Sequence, residues 1–143
     1  MSILIHFLTS LLLALILSIF YGWYSLWAFV GGVLVDVDHY LLYVSKFRNI
    51  NLKKIYHYYA VEGCYFKGMY CVFHSFELIL LLGALSFFSE IVLIITIGLF
   101  LHYVLDIIFE LKYCGKTIKN WSFILFVRNT YFGTSFDKKP SPK

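Results

Sequence analysis

The sequence predicts an all-α fold, an integral membrane four-helix bundle with short interfacial helices. Three observations predict it. Of 143 residues 61% are hydrophobic, and the mean hydropathy of +0.80 is far above that of a soluble globular chain. Four apolar runs, at about 3–20, 23–45, 71–88 and 91–111, each approach the roughly 20 residues that cross a ~30 Å hydrocarbon core as helix. All 12 Lys and Arg residues fall outside these runs, either between the second and third or after the fourth.

The first run lacks the basic leader and small-residue cleavage site of a signal peptide, and His6 interrupts it, so it is expected to be a retained span. "YGWYS" joins it to the second run by so short a turn that the two must form an antiparallel hairpin. Residues 46–70 mix Lys and Arg with tyrosines, a composition that suits the headgroup region, and one short interfacial helix is expected there. The third and fourth runs meet near Ser89 and Glu90 as a second hairpin. Residues 121–136, apolar but too short and too polar at Arg128 and Asn129 to span, are expected to lie at the interface. The single domain is expected to end at 136, with a disordered tail at 137–143.

Charge sets the expected orientation. Four spans bring both basic segments and the N-terminus to one side, and the positive-inside rule makes that side cytoplasmic. A multi-pass protein of the cell inner or plasma membrane follows, with both termini in the cytoplasm. The net charge of +4 comes with no basic helix or motif, so no nucleic-acid partner is expected. Cys64, Cys71 and Cys114 are odd in number and lack CxxC spacing, which points to neither a disulfide framework nor a thiolate zinc finger; they read as reduced and incidental.

Against this apolar background the polar residues stand out. The first run carries His6, the second Asp36, Asp38 and His39, the third His74, Ser75 and Glu77, and the fourth His102, Asp106 and Glu110. An ionised side chain costs at least ~2.5 kcal/mol at the centre of a spanning helix, so such residues are normally paired, inward-facing and functional. At 1.5 Å per residue all of them fall within roughly 10–15 Å of the cytoplasmic boundary, a single layer. On a helix, His102 and Asp106 are about 40° apart, and Asp36 and His39, like His74 and Glu77, about 60°. Asp38 turns away from Asp36, so it can be a ligand only if the helix unwinds there; otherwise it orients an imidazole from outside. Imidazole and carboxylate donors suit a divalent transition metal, zinc first, with manganese or iron as alternatives. The metal ligands expected are His6, Asp36, His39, His74, His102 and Asp106, with Asp38 or Glu77 as general base. His57 reads as interfacial, Glu110 as solvated or paired with Lys112 or Arg128, and Trp23, Trp27 and Trp121 as belt residues.

A histidine near the N-terminus followed in order by "LVDVDHYLL", "FHS" and "LHYVLDII" resembles the bacterial and archaeal inner-membrane metal-dependent hydrolases of the YdjM type. Those proteins carry a "PDIDH"-like, an "HRGxTHS"-like and an "HxxxD"-like motif, and the resemblance covers about residues 6–110. It implies that His6, Asp36, Asp38, His39, His74, His102 and Asp106 are metal ligands or catalytic groups. A distant similarity of that family to zinc-dependent phospholipases C and nucleases implies phosphoester hydrolysis. Two departures are visible: Val35 replaces the proline, and "GMYCVFHS" lacks the first histidine, arginine and threonine of the second motif, with Met69 where that histidine would fall. The departures bear on any further metal and on phosphate binding by arginine.

The expected function is hydrolysis of an ester or phosphoester of a lipid-like substrate at the cytoplasmic interface, with a metal lowering the pKa of water. Membrane lipid and a divalent metal are the partners expected. The alternative is an intramembrane metal-binding protein or a metal or proton transporter, whose polar residues should extend through the midplane to the far side. A haem carrier would not surround its iron with Asp36, Asp38 and Asp106.

Overall fold

The computed structural model describes residues 3–58, 71–114 and 121–131, and all regular structure among them is helical. Helix α1 (Ile3–Tyr21) ends at Gly22, whose φ of 53° is a left-handed conformation that glycine takes without a Cβ penalty. The chain reverses there through a 3₁₀ turn, Gly22–Trp27, into α2 (Ala28–Gly32). Ala14 packs with Ala28, and a Cβ on Gly32 would lie 2.1 Å from Ser10 Oγ, so α1 and α2 are antiparallel, as the short "YGWYS" link requires.

The second predicted span is not one helix. After Gly31 and Gly32, each about 1 kcal/mol worse than alanine in a helix, the chain leaves helical geometry at Val33 (φ −126°, ψ −49°). It makes a 3₁₀ turn, Leu34–Asp36, and resumes as α3 (Val37–Phe47). Arg48, with φ 50°, closes α3, and the side chain of Asn51 caps α4 (Leu52–His57) by accepting the Lys53 and Lys54 amides at 3.0 and 3.2 Å.

The third predicted span also starts later than its apolar run. A 3₁₀ turn, Val72–His74, precedes the N-cap Ser75 and α5 (Phe76–Leu85), followed by a second 3₁₀ turn, Ser86–Phe88. Helix α6 (Glu90–Cys114) is continuous, and α7 (Phe123–Tyr131) falls inside the segment expected at the interface. The tail at 137–143, and the expected interfacial stretch beyond residue 58, lie outside the described residues.

Helix α6 is the central element. A Cβ on Gly31 would stand 2.1 Å from Ile95 O, and one on Gly98 2.3 Å from Ala28 O, so α2 and α6 meet backbone to backbone. On the other side Leu99, Tyr103 and Ile107 pack with Leu78, Ile79, Leu82, Val35 and Trp121. Trp121 is therefore a core residue and not the belt residue its type predicts, because the chain entering α7 crosses the α5–α6 pair; Trp121 O accepts the Phe76 amide at 2.7 Å.

The usual distribution of side chains is inverted. His6, Ser10, Asp38, His74, His102, Asp106 and Glu110 are buried, while Leu4, Leu8, Leu12, Leu15 and Ile19 of α1 face outward. Glu110 is 6% exposed, which excludes the solvated one of its two expected states. Two helical stretches, Leu4–Phe47 and Glu90–Tyr113, are long and apolar enough to cross a membrane, the first of them folded at Gly22; Phe76–Phe88 is a shorter apolar helix.

Candidate metal centre

The break in the second predicted span creates the centre. In an unbroken helix the Gly32 carbonyl would accept the Asp36 amide. Here that amide turns to Val33 O at 3.3 Å, and Gly32 O faces His102 Nδ1 at 3.0 Å. The same turn brings Asp36 and Asp38 to one cluster although they are two residues apart. His74 enters from its 3₁₀ turn, His102 and Asp106 from one face of α6, and His6 from α1. Tyr103 fixes the His74 turn, its hydroxyl lying 2.8 Å from both the Phe73 and the Ser75 carbonyl.

Proton bookkeeping defines what the centre can hold. A carbonyl only accepts, so His102 Nδ1 must carry a proton. His74 Nδ1 lies 3.0 Å from Asp38 Oδ2, a carboxylate oxygen that also accepts the Phe73 amide at 3.1 Å, so this nitrogen donates as well. Two neutral rings held in this way would present bare Nε2 lone pairs, and these two atoms face each other at 3.0 Å. Lone pairs so placed repel unless something positive lies between them.

Two carboxylate oxygens complete the group. Asp36 Oδ1 is 3.6 Å from His74 Nε2 and 3.5 Å from His102 Nε2, and Asp106 Oδ2 is 3.6 Å from each. Those separations are too long for hydrogen bonds. They lie slightly above, and the 3.0 Å Nε2–Nε2 separation slightly below, the ~3.3–3.4 Å edges of a tetrahedron of N and O donors about an ion at the usual ~2.0–2.1 Å. A shared proton would join two of these four atoms, whereas a divalent ion joins them all. The separations among His74 Nε2, His102 Nε2, Asp36 Oδ1 and Asp106 Oδ2 therefore fit a metal ion, and the same residues, with His39 and His6, make up two overlapping groups, Asp36–His39–His74–Asp106 and His6–Asp36–His102, whose donor atoms lie within 4.8 Å of one another.

The remaining sequence candidates take different places. His6 Nε2 lies 3.2 Å from Asp106 Oδ1, and its ring stacks on His102 with centroids 4.0 Å apart; it also offers a donor atom within 4.8 Å of those of Asp36 and His102. Asp38 orients His74. His39 stands at the edge, its Nε2 3.8 Å from Asp36 Oδ1, its Nδ1 3.0 Å from Cys71 Sγ and its ring 4.6 Å from that of His74. Glu77 is engaged elsewhere: its carboxylate accepts Ser122 Oγ at 2.6 Å and the Phe123 and Ile124 amides at 3.1 and 3.4 Å, which caps α7. His57 lies outside the cluster, in an open hollow with Tyr43, Lys53, Lys54 and Tyr58.

Cys71 is the residue that sequence reasoning passed over. Its signal was its spacing from His74: Cys71 is the N-cap of the 3₁₀ turn that ends at His74, and its Sγ lies within 4.8 Å of a His74 ring nitrogen. Access is one-sided, since the His74, His102 and Asp106 side chains are at most 3% exposed while Asp36 and His39 reach 16% and 14%. No protein-family model, curated protein or solved structure matches this chain, so the centre rests on its own geometry.

Proposed function

We propose that the chain is a multi-pass membrane protein, a four-helix bundle with both termini cytoplasmic, and that its buried centre is a metal-dependent hydrolase site for an ester or phosphoester of a lipid-like substrate. One observation carries this reading: the Nε2 atoms of His74 and His102 stand 3.0 Å apart, each ring fixed through its other nitrogen. A centre so built needs a cation, and its donors favour zinc, with manganese or iron next. The outward apolar faces of α1, α5 and α6 and the inward polar layer support the bilayer as the solvent.

When bound, such an ion lowers the pKa of water and offsets charge on a phosphoryl or acyl oxygen. His74, His102, Asp36 and Asp106 hold it, while Asp38 and His6 keep His74 and Asp106 in position. The buried side of the cluster excludes bulk water, and the partly open Asp36–His39 edge admits the scissile group. Glu77, committed to the α7 cap, is not assigned a proton-transfer role. Lys53 and Lys54, beside Tyr43, His57 and Tyr58, offer positive charge to an anionic headgroup, worth about 1 kcal/mol per cation near a membrane surface.

The test is elemental analysis of protein purified in detergent without chelators, beside Asp36→Ala and His102→Ala. Stoichiometric transition metal in the wild type, lost in both variants, is expected. Wild-type protein without metal, or variants of full occupancy, would overturn the site. Hydrolysis is then tested on a headgroup-labelled phospholipid and a chromogenic phosphodiester. Metal-loaded protein that cleaves neither, but moves metal or protons across vesicles, would replace the hydrolase reading with transport.

A further inference from the structure

Beside the four donors above lies a second group that they leave unused. Cys71 is 1% exposed and its Sγ is 3.0 Å from His39 Nδ1; Asp38, 6% exposed, has its Oδ1 3.6 Å from the same nitrogen. Asp38 Oδ2 is occupied by His74 and the Phe73 amide, but Oδ1 is buried without a hydrogen-bond partner. An unpaired carboxylate oxygen in a dry interior is costly unless a cation meets it. Asp38, His39 and Cys71 each offer a donor atom within 4.8 Å of the others.

We propose that Asp38 Oδ1, His39 Nδ1 and Cys71 Sγ form a second cation site, adjoining the first and taking a thiophilic divalent metal such as zinc. Binding there displaces the thiol proton to solvent and forms a metal–sulfur bond, with no change of oxidation state. Two features of the arrangement favour it. The two groups adjoin through their carboxylates, since Asp38 Oδ2 meets His74 Nδ1 at 3.0 Å while Asp36 Oδ1 lies 3.8 Å from His39 Nε2. Charge also balances: the three aspartates carry three negative charges, of which one divalent ion leaves one, whereas a second ion, bound with loss of the Cys71 proton, sets four positive charges against four negative. With Cys71, a softer donor set distinguishes this site from the all-N,O site next to it. The inference rests on the metal-centre reading but concerns different donor atoms.

Cobalt(II) titration of the metal-free protein in detergent tests it. The expected result is two equivalents per chain and a near-ultraviolet sulfur-to-cobalt charge-transfer band that accompanies one of them. Cys71→Ala should bind one equivalent and show no such band. A Cys64→Ser/Cys114→Ser chain, which keeps Cys71 as its sole thiol, should retain both, and this arm stands even if Cys71→Ala does not fold. One equivalent without the band in both the wild type and the double variant overturns the second site and leaves the first. Absence of cobalt binding altogether overturns both.

Discussion

His74 and His102 present metal-ready nitrogens because their other nitrogens are tied down. Asp38 and the Gly32 carbonyl each take an Nδ1–H, which fixes tautomer and ring plane together. Asp38→Asn replaces a full negative charge at that bond by a weaker amide acceptor, and a ~10–100-fold loss of metal affinity is expected, read by chelator competition. His6→Ala removes the donor that holds Asp106 Oδ1, and a loss of the same order is expected; unchanged affinity would show that Asp106 is positioned by α6 alone. Glu77→Ala separates the two roles that its sequence position leaves open. Loss of the α7 cap should destabilise the protein by about 1 kcal/mol with metal content unchanged, measured by thermal melting and elemental analysis; loss of metal would return Glu77 to the centre.

At the level of elements, the second predicted span had to break. An uninterrupted helix would turn Asp36 and Asp38 apart and occupy the Gly32 carbonyl, and the 3₁₀ turn at Leu34–Asp36 removes both obstacles. The α2–α6 contact places that carbonyl against His102. Gly98→Val would put side-chain atoms where Ala28 O now stands, forcing the helices apart. Lower thermal stability and loss of bound metal together are expected, although Gly98 touches no ligand atom; retained metal would mean that Gly32 O is dispensable. Tyr103→Phe removes the hydroxyl that joins the Phe73 and Ser75 carbonyls, and weaker metal binding without loss of the helical circular-dichroism signal is the expected outcome.

Across the whole molecule the apolar exterior and polar interior form one design. The proposed four-span reading puts the N-terminus and the basic tail on one side, so reporters fused to either end should both register the cytoplasm, and the protein should resist carbonate extraction. Reporters on opposite sides would reject that topology. Sequence alone was enough for the helical class, because long apolar runs need no partner to declare themselves, and for the residue types of the centre, because carboxylates and imidazoles are conspicuous where lipid would exclude them. It also made the Gly22 hairpin legible, since the link leaves no room for any other path. Tertiary structure decided the contacts: His6 meets Asp106, Asp38 meets His74, Glu77 caps α7, Trp121 is core, and Cys71 meets His39. The physical reason is that periodicity assigns a residue to a face, whereas which nitrogen donates and which faces a cation depends on carbonyls and carboxylates brought from distant parts of the chain.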